Sequence, residues 1–158
     1  MSMGLHRSGW FGVAGLLASC GGSSPAPALP PSYSAVSIVA DGAKQTGPLG
    51  PGMLVSIYGT HLGPDATCIG KADPSKRETP STLRPYQTPA ERLVFPETLC
   101  ECEVRVGGVA AGLLYVSPGQ INFKIPQQIG MSGTVKIQVT HRGVRGPEAV
   151  VPLGGSIL

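Results

Sequence analysis

The sequence predicts an all-β fold, an immunoglobulin-like antiparallel β-sandwich of about seven strands, and three observations carry this prediction. From residue 34 onward, apolar residues recur at every second position, and no stretch has the period of a helix. Turn-forming residues separate these runs, since the chain of 158 residues holds 23 Gly and 16 Pro. Short alternating segments with regular turns are typical of a sandwich whose two inward faces supply one core.

The first three strands are predicted from runs that alternate apolar and polar side chains. They are AVSIVA (35–40), MLVSIY (53–58) and CECEVRV (100–106). In the second run, Met53, Val55 and Ile57 share one face. The third run alternates most clearly, so we expect one dry and one wet face. Its predicted inward residues are Cys100, Cys102, Val104 and Val106, and its outward residues are Glu101, Glu103 and Arg105.

Glycine and proline mark the turns that join the later strands. Gly107-Gly108 predicts a two-residue hairpin turn, because glycine readily takes the positive φ that such turns require. Ser117-Pro118-Gly119-Gln120 predicts a type II turn with positive φ at Gly119. The remaining strands are AAGLLYV (110–116), INFKI (121–125) with Ile121, Phe123 and Ile125 inward, TVKIQVT (134–140) and EAVVPL (148–153).

The N-terminus has the layout of a secretory signal peptide over residues 1–19. A short start containing Arg7 precedes WFGVAGLLA (10–18), which is apolar but too short to span a bilayer. Leu17-Ala18-Ser19-Cys20 resembles a bacterial lipobox, which implies that Cys20 is acylated and becomes the new N-terminus. The alternative is an ordinary signal peptide cut near Ala18 or Ser19.

The remainder divides into a tether and one domain. Residues 20–33 are the lipidated Cys20 followed by a Gly/Ser/Pro-rich tether that holds the domain away from the lipid. Residues 34–158 form the sandwich domain, with a long loop at 70–93. Gly21-Gly22 lacks the aspartate that retains some lipoproteins at the inner membrane. We therefore expect an extracytoplasmic, membrane-anchored protein of the outer membrane or cell surface.

Three segments resemble a known family of secreted proteins. They are PLGPGMLVSIYGTHLGP (48–64), CEVRVGGVAAGLLYVSPGQINFKIP (102–126) and GTVKIQVTHRG (133–143). In this order they are similar to the C-terminal domain of the Solibacter type, abundant in secreted acidobacterial proteins, and more distantly to the IPT/TIG immunoglobulin-like fold. The resemblance implies the fold and an extracytoplasmic setting, but no reaction or ligand.

Composition argues against two classes of protein. Charged residues make up 13% of the chain and aromatic residues 5%, which supplies neither a basic stripe nor a stacking platform for nucleic acid. An apolar fraction of 41% and a net charge of +3 are unlike a disordered chain. We therefore expect a folded domain that does not bind nucleic acid.

Three cysteines follow Cys20, and an oxidising compartment favours a disulfide between two of them. Cys100 and Cys102 are alternate residues of one predicted strand, which places them poorly for bonding to each other. Cys68 is expected to pair with Cys100, which is nearer the strand start, with Cys102 as the alternative. Such a bridge stabilises the fold by about 3 kcal/mol. A Cys-x-Cys metal or redox site is the other interpretation.

Two sets of polar residues are candidates for binding. The loop 70–93 far exceeds usual loop lengths and carries basic side chains suited to an acidic glycan or a partner's carboxylates, unless it is a solvated insertion. Its candidates are Lys71, Lys76, Arg77, Arg84, Tyr86 and Arg92. The second set lies on the face opposite Ile121 and Phe123. It consists of Gln120, Asn122 and Lys124.

Motifs for catalysis are absent from the sequence. His61 and His141 lack metal-ligand spacing and are expected to be solvated, and Ser117 is not in a nucleophile elbow. We expect no catalytic residue, metal or cofactor, although a loop calcium site at Asp65 or Asp73 is an alternative.

The predicted function is a non-catalytic, lipid-anchored binding or adhesion module of the bacterial envelope. Its partners are the membrane and an envelope protein or acidic glycan; the alternatives are a structural envelope subunit and an accessory domain of a polysaccharide-active enzyme.

Overall fold

Antiparallel strands make up most of the fold. The structure, a computed structural model, describes residues 26–40, 47–77 and 92–154. In these residues a 3-10 turn (Ala35–Ser37) precedes twelve strands. The strands are β1 (Ile38–Ala40), β2 (Leu54–Tyr58), β3 (Cys68–Ile69), β4 (Asp73–Arg77), β5 (Leu93–Val94), β6 (Cys102–Val106), β7 (Val109–Ala110), β8 (Gly112–Val116), β9 (Gln120–Lys124), β10 (Thr134–His141), β11 (Val144–Arg145) and β12 (Ala149–Pro152). Within the described ranges, the chain has no helix that is long and apolar enough to cross a bilayer.

The strands form two main sheets and a small ribbon. The front sheet has the order β1-β2-β9-β8-β3. The back sheet has the order β11-β10-β6-β7, and β12 also pairs with β10. β4 and β5 form a separate two-stranded ribbon. This confirms the predicted immunoglobulin-like antiparallel β-sandwich, although the described chain divides into more and shorter strands than the seven expected.

Alternating apolar side chains of both sheets form one core. In the front sheet, Ile57 of β2 and Phe123 of β9 have no exposed surface, and neither have Val104 of β6 and Ile137 of β10 in the back sheet. Each such side chain contributes about 1.5–3 kcal/mol through removal of apolar surface from water. The predicted inward residues of INFKI are confirmed, since Ile121, Phe123 and Ile125 are all fully buried.

The predicted strand 100–106 begins two residues later than expected. Cys100 (φ 49°) and Glu101 (φ 60°) are left-handed and form a tight turn, closed by backbone hydrogen bonds of 3.1 and 3.0 Å between Leu99 and Cys102. Placing Cys100 on the inward face was therefore wrong. Cys100 is exposed, whereas Cys102 is fully buried.

The predicted strand 110–116 is shared between the sheets. Val109 and Ala110 pair with β6 in the back sheet, whereas Gly112 to Val116 pair with β9 in the front sheet. The buried Ala111 marks the crossing. A strand that changes sheets forms a corner that connects the two layers.

One of the two predicted turns forms as expected. Gly107 (φ 58°) and Gly108 (φ 82°) are both left-handed and join β6 to β7, which confirms the hairpin. The type II turn was wrong, because Gly119 does not take a positive φ. Instead Ser117 N donates to Gln120 O (2.9 Å) and the Gln120 amide donates to Ser117 Oγ (3.1 Å), so a backbone bond and a side chain together close this turn.

The end of the tether segment contacts the sandwich. Ser32 and Thr60 exchange backbone hydrogen bonds of 2.9 Å. The Tyr33 hydroxyl donates to Pro147 O and accepts from the Val139 amide at 2.8 Å. The chain is therefore fixed to both sheets before β1 begins.

Candidate binding face

The outward side of the front sheet carries one continuous row of residues across all five strands. Strand register places Val39, Ser56, Asn122, Tyr115 and Ile69 side by side. Directly paired residues point to the same side of a sheet, and strands lie about 4.8 Å apart, so the row is about 19 Å long. We call this outward side of the front sheet the front face.

A hydrogen-bonded amide cluster occupies the middle of the front face. Asn122 Oδ1 accepts hydrogen bonds from Ser56 Oγ at 3.0 Å and from Gln120 Nε2 at 2.7 Å. These bonds use the oxygen of Asn122 and the nitrogen of Gln120. Asn122 Nδ2 therefore remains a donor and Gln120 Oε1 an acceptor, which together complement an amide group on a ligand. Alternation with the inward Ile121 and Phe123 was sufficient to place both residues on this side.

Apolar and aromatic side chains surround the amide cluster. Leu54 is 39% exposed, Tyr58 46% and Ile69 69%, and these are three of the six most exposed large hydrophobic residues in the described chain. Tyr115 lies between Asn122 and Ile69 in the row. Clustered exposed apolar residues mark interaction surfaces more often than single ones do. These residues were not among the candidates selected from the sequence, although the alternation of MLVSIY already placed Leu54 and Tyr58 opposite the core.

Lys124, the third candidate on this face, is directed to the ribbon. It is only 4% exposed, and its Nζ donates to Leu93 O at 3.0 Å. This hydrogen bond connects the end of β9 to β5. The other described residues of the front-sheet strands that point to this face are consequently uncharged.

The outward side of the back sheet differs in charge from the front face. It carries ion pairs between Arg105 and Glu103 (2.5 Å) and between Lys136 and Glu148 (2.8 Å). The Glu148 carboxylate, through a hydrogen bond and its charge, raises the pKa of Lys136. Charged residues of both signs solvate a surface and are depleted at the centres of interfaces. Of the two faces, the front face is therefore the better binding surface.

The basic candidates of loop 70–93 are only partly within the described residues. Lys71 is exposed and Arg92 half-buried. Lys76 Nζ lies 3.4 Å from Asp73 Oδ2, and Arg77 donates to the backbone of Lys76. Hydrogen bonds from Ser75 and the neighbouring Lys76 charge lower the pKa of Asp73. Arg84 and Tyr86 lie outside the described residues, as do Cys20 and residues 1–19, which the sequence predicts to be a signal peptide.

The predicted disulfide between Cys68 and Cys100 is confirmed. It joins the edge strand β3 of the front sheet to the turn that precedes β6. Cys102, the alternative partner, is a free and fully buried thiol that donates to Leu62 O at 3.3 Å. Burial, followed by the nearby charge of Glu101, raises its pKa to about 11. The thiol therefore stays protonated at neutral pH, which makes it a poor nucleophile or metal ligand.

The acidic residues considered for calcium or catalysis lie apart. Asp65 lines a cleft at one end of the sandwich, Glu97 lines a separate cavity of about 90 Å³, and Asp73 lies in the ribbon. Over the described ranges, no group of three or more His, Cys, Asp or Glu side chains is placed to hold a metal ion.

Comparison with known proteins identifies one family. A family model described as the IPT/TIG domain matches residues 31–152. The match begins next to the contacts of Ser32 and Tyr33 with the sandwich and ends with β12. Neither the curated proteins nor the solved structures gave a match.

Proposed function

The chain belongs to the IPT/TIG domain family, generally immunoglobulin-like modules for binding or adhesion and typically non-catalytic, and we propose that it binds an envelope protein through its front face. We also propose that it acts as a lipid-anchored module outside the cytoplasm. The observation that carries the proposal is the uncharged front face, where an amide cluster lies among exposed Tyr58, Leu54 and Ile69.

The chemistry of the front face favours a protein partner. Protein interfaces are enriched in tyrosine and depleted of charge at their centres, and their polar groups must find partners on binding. Asn122 Nδ2 and Gln120 Oε1 supply one donor and one acceptor, which a backbone or side-chain amide of the partner satisfies together. An acidic glycan would instead require cations, and Lys124, the cation of this face, is bound to Leu93 O.

The anchor and location rest on residues 1–33. Leu17 to Cys20 resemble a lipobox, and the following Gly/Ser/Pro-rich tether separates the domain from the lipid. An acidobacterial protein of the Solibacter type, placed at the outer membrane or cell surface, fits this arrangement. Several acyl chains on Cys20 hold a soluble domain stably where one chain would be marginal.

Lipidation at Cys20 predicts a specific labelling result. Cells given an alkyne-bearing fatty acid incorporate it into the wild-type chain, whereas Cys20→Ala incorporates none, because no other residue has the lipobox context. Cys102→Ala serves as the matched control and is labelled like wild type. Equal labelling of wild type and Cys20→Ala would remove the anchor from the proposal.

Binding through the front face predicts site-specific crosslinking in intact cells. A photoreactive amino acid at Ile69 is expected to crosslink one defined envelope protein. The same residue at Val150, which is 50% exposed on the back sheet, is not. Asn122→Asp then reduces the Ile69 crosslink by about tenfold or more. Its oxygen still accepts from Ser56 and Gln120, but the donor is replaced by a half-buried negative charge that the partner would have to cover.

Other outcomes identify the alternatives. Crosslinks from Ile69 and Val150 of equal strength contradict the front face as the site. Loss of capture on neutralising Lys71, Lys76 and Arg77 together, with Asn122→Asp unaffected, assigns binding to the basic loop and to an acidic glycan or partner. Crosslinks only to other copies of the chain support a structural subunit, and capture of a polysaccharide-active enzyme supports an accessory role.

A further inference from the structure

The edge of the front sheet at β3 turns backbone hydrogen-bonding groups away from the sandwich. β3 is the last strand of this sheet, and within the described residues it pairs only with β8. Gly70, which follows β3, donates its backbone N–H to Leu114 O of β8 at 2.8 Å. Successive residues of an antiparallel strand direct their N–H and C=O groups to opposite edges. The N–H and C=O of Ile69 therefore point away from β8.

Ile69 belongs both to this edge and to the front face. Its side chain is 69% exposed and ends the row of residues that crosses the five strands. Neighbouring strands lie about 4.8 Å apart, so a residue of an added strand would take the next place in the row. The outward backbone of Ile69 and the front face thus form one continuous surface.

Two constraints hold this edge in the extended form that strand pairing requires. The disulfide joins Cys68 to Cys100 of the turn before β6, and the Gly70 amide is bonded to β8. An edge that is already extended loses little conformational entropy when another strand pairs with it. β3 has only two residues, which limits indiscriminate pairing, so a specific partner must gain further contacts from the front face.

We propose that the envelope protein bound by the front face contributes an extended segment, which pairs with Ile69 as an added strand beyond β3. This inference rests on the proposed function and specifies how the partner binds. One residue of the segment exchanges two backbone hydrogen bonds with Ile69, and the chain beyond this pair crosses the front face to reach Asn122 and Gln120. The side chain beside Ile69 is apolar or β-branched, because such residues pair well across strands.

An extended segment of another protein fits this edge better than a second copy of the chain. Two copies joined through β3 would extend the sheet in its own plane and leave both front faces uncovered. Their pairing would involve mainly two residues from each chain, far less than the roughly 800 Å² per partner of a specific interface. An extended segment can pair with the edge and also cover the face.

Proline at position 69 removes the group on which strand addition depends. Ile69→Pro deletes the outward N–H and leaves a carbonyl of the partner without its donor. We expect the fold to tolerate this change, because that N–H points away from β8 and the preceding Cys68 is already in a strand. β12 provides a precedent. The Leu153 amide bonds to Gly133 O, so the preceding Pro152 occupies a position that faces away from β10.

Crosslinking in intact cells measures the effect of this proline. The probe is a photoreactive benzoylphenylalanine at Tyr58, which is 46% exposed on the front face. Ile69→Pro is expected to reduce its crosslink to the envelope protein by about tenfold or more. The matched control is Val150→Pro, two residues before Pro152 in β12 and therefore also facing away from β10, which should crosslink like wild type.

The outcomes distinguish the added strand from the proposed function. If Ile69→Pro crosslinks like Val150→Pro while Asn122→Asp loses the crosslink, the front face stands and the added strand is overturned. Crosslinks only to other copies of the chain also overturn it. If the Tyr58 probe captures no protein in the wild type, both proposals fail.

Amide hydrogen exchange of the purified full chain tests the edge without a variant or a partner. The Ile69 amide is expected to exchange at least about tenfold faster than the neighbouring Gly70 amide, which is bonded to Leu114 O. Equal protection of the two amides would mean that another part of the chain already covers the edge, and would overturn the proposal. This measurement decides the question even if Ile69→Pro fails to fold.

Discussion

Replacing both Cys68 and Cys100 by alanine is expected to lower the free energy of unfolding by about 3–4 kcal/mol. The disulfide spans a sequence separation of 32, and closing a loop of this length in the unfolded chain removes entropy equivalent to that free energy. The structural reason is local. β3 contributes only Cys68 and Ile69 to the front sheet and pairs only with β8. The disulfide therefore adds to the short pairing with β8 that holds this edge strand in the described residues.

Urea denaturation of wild type and the double variant measures this difference, and a reducing agent should bring wild type close to the variant. The left-handed φ of Cys100 (49°) provides a control. In a Cys68→Ala background, Cys100→Gly should be about 0.5–1 kcal/mol more stable than Cys100→Ala, because alanine is strained there, although glycine also gains unfolded-state entropy. A double variant within about 1 kcal/mol of wild type would show that the loop is restrained by other contacts.

Periodicity and turn residues together predicted the sandwich, and periodicity identified much of its core. The alternation in MLVSIY and INFKI identified Val55, Ile57, Ile121 and Phe123 as inward, and all are buried to within 1%. Alternation is a local property of the chain, so it does not report which sheet a residue joins. The crossing at Ala111 depends on pairing with β6 before it and with β9 after it. Both pairings form only in the folded chain, so local alternation does not predict them.

The turn at Cys100 and Glu101 had no sequence signal. Tight turns with two left-handed residues usually contain glycine or asparagine, and here the positions hold cysteine and glutamate. The disulfide to Cys68 and the backbone bond from Arg142 N to Glu101 O (2.9 Å) hold this conformation from outside the turn. Such a turn is specified by partners distant in sequence, which is why alternation extended the strand two residues too far.

The candidate site likewise contains residues that alternation predicted and residues whose environment it did not predict. Gln120 and Asn122 were selected because strand alternation places them opposite the core, and the amide cluster confirms that they share a side. The burial of Lys124 depends on Leu93 O, which lies 31 residues earlier. His141, which was expected to be solvated, is 7% exposed, and its burial likewise depends on its place at the end of β10 in the folded sheet. Neither case of burial can be predicted from one sequence without an observed fold.

Phe123→Ala is expected to lower the free energy of unfolding by about 3–5 kcal/mol, the range for deleting a buried aromatic ring. Phe123 is fully buried, and its strand β9 is the middle strand of the front sheet. Its backbone neighbours Val55 and Leu113 are also buried, so the surroundings cannot collapse readily to fill the cavity. Small domains have a total stability of about 5–15 kcal/mol, so this single change brings the chain near the point of unfolding.

Two further variants separate the core from the front face, with stability measured by urea denaturation. Phe123→Leu keeps most of the buried volume and should cost about 1–1.5 kcal/mol. Ile69→Ala, 69% exposed on the front face, should change stability by no more than about 0.5 kcal/mol. Because Phe123 and Asn122 are adjacent in β9 and point to opposite sides, Phe123→Leu should retain the partner that Asn122→Asp loses. A loss below about 1.5 kcal/mol for Phe123→Ala would mean that β9 is not the centre of the core.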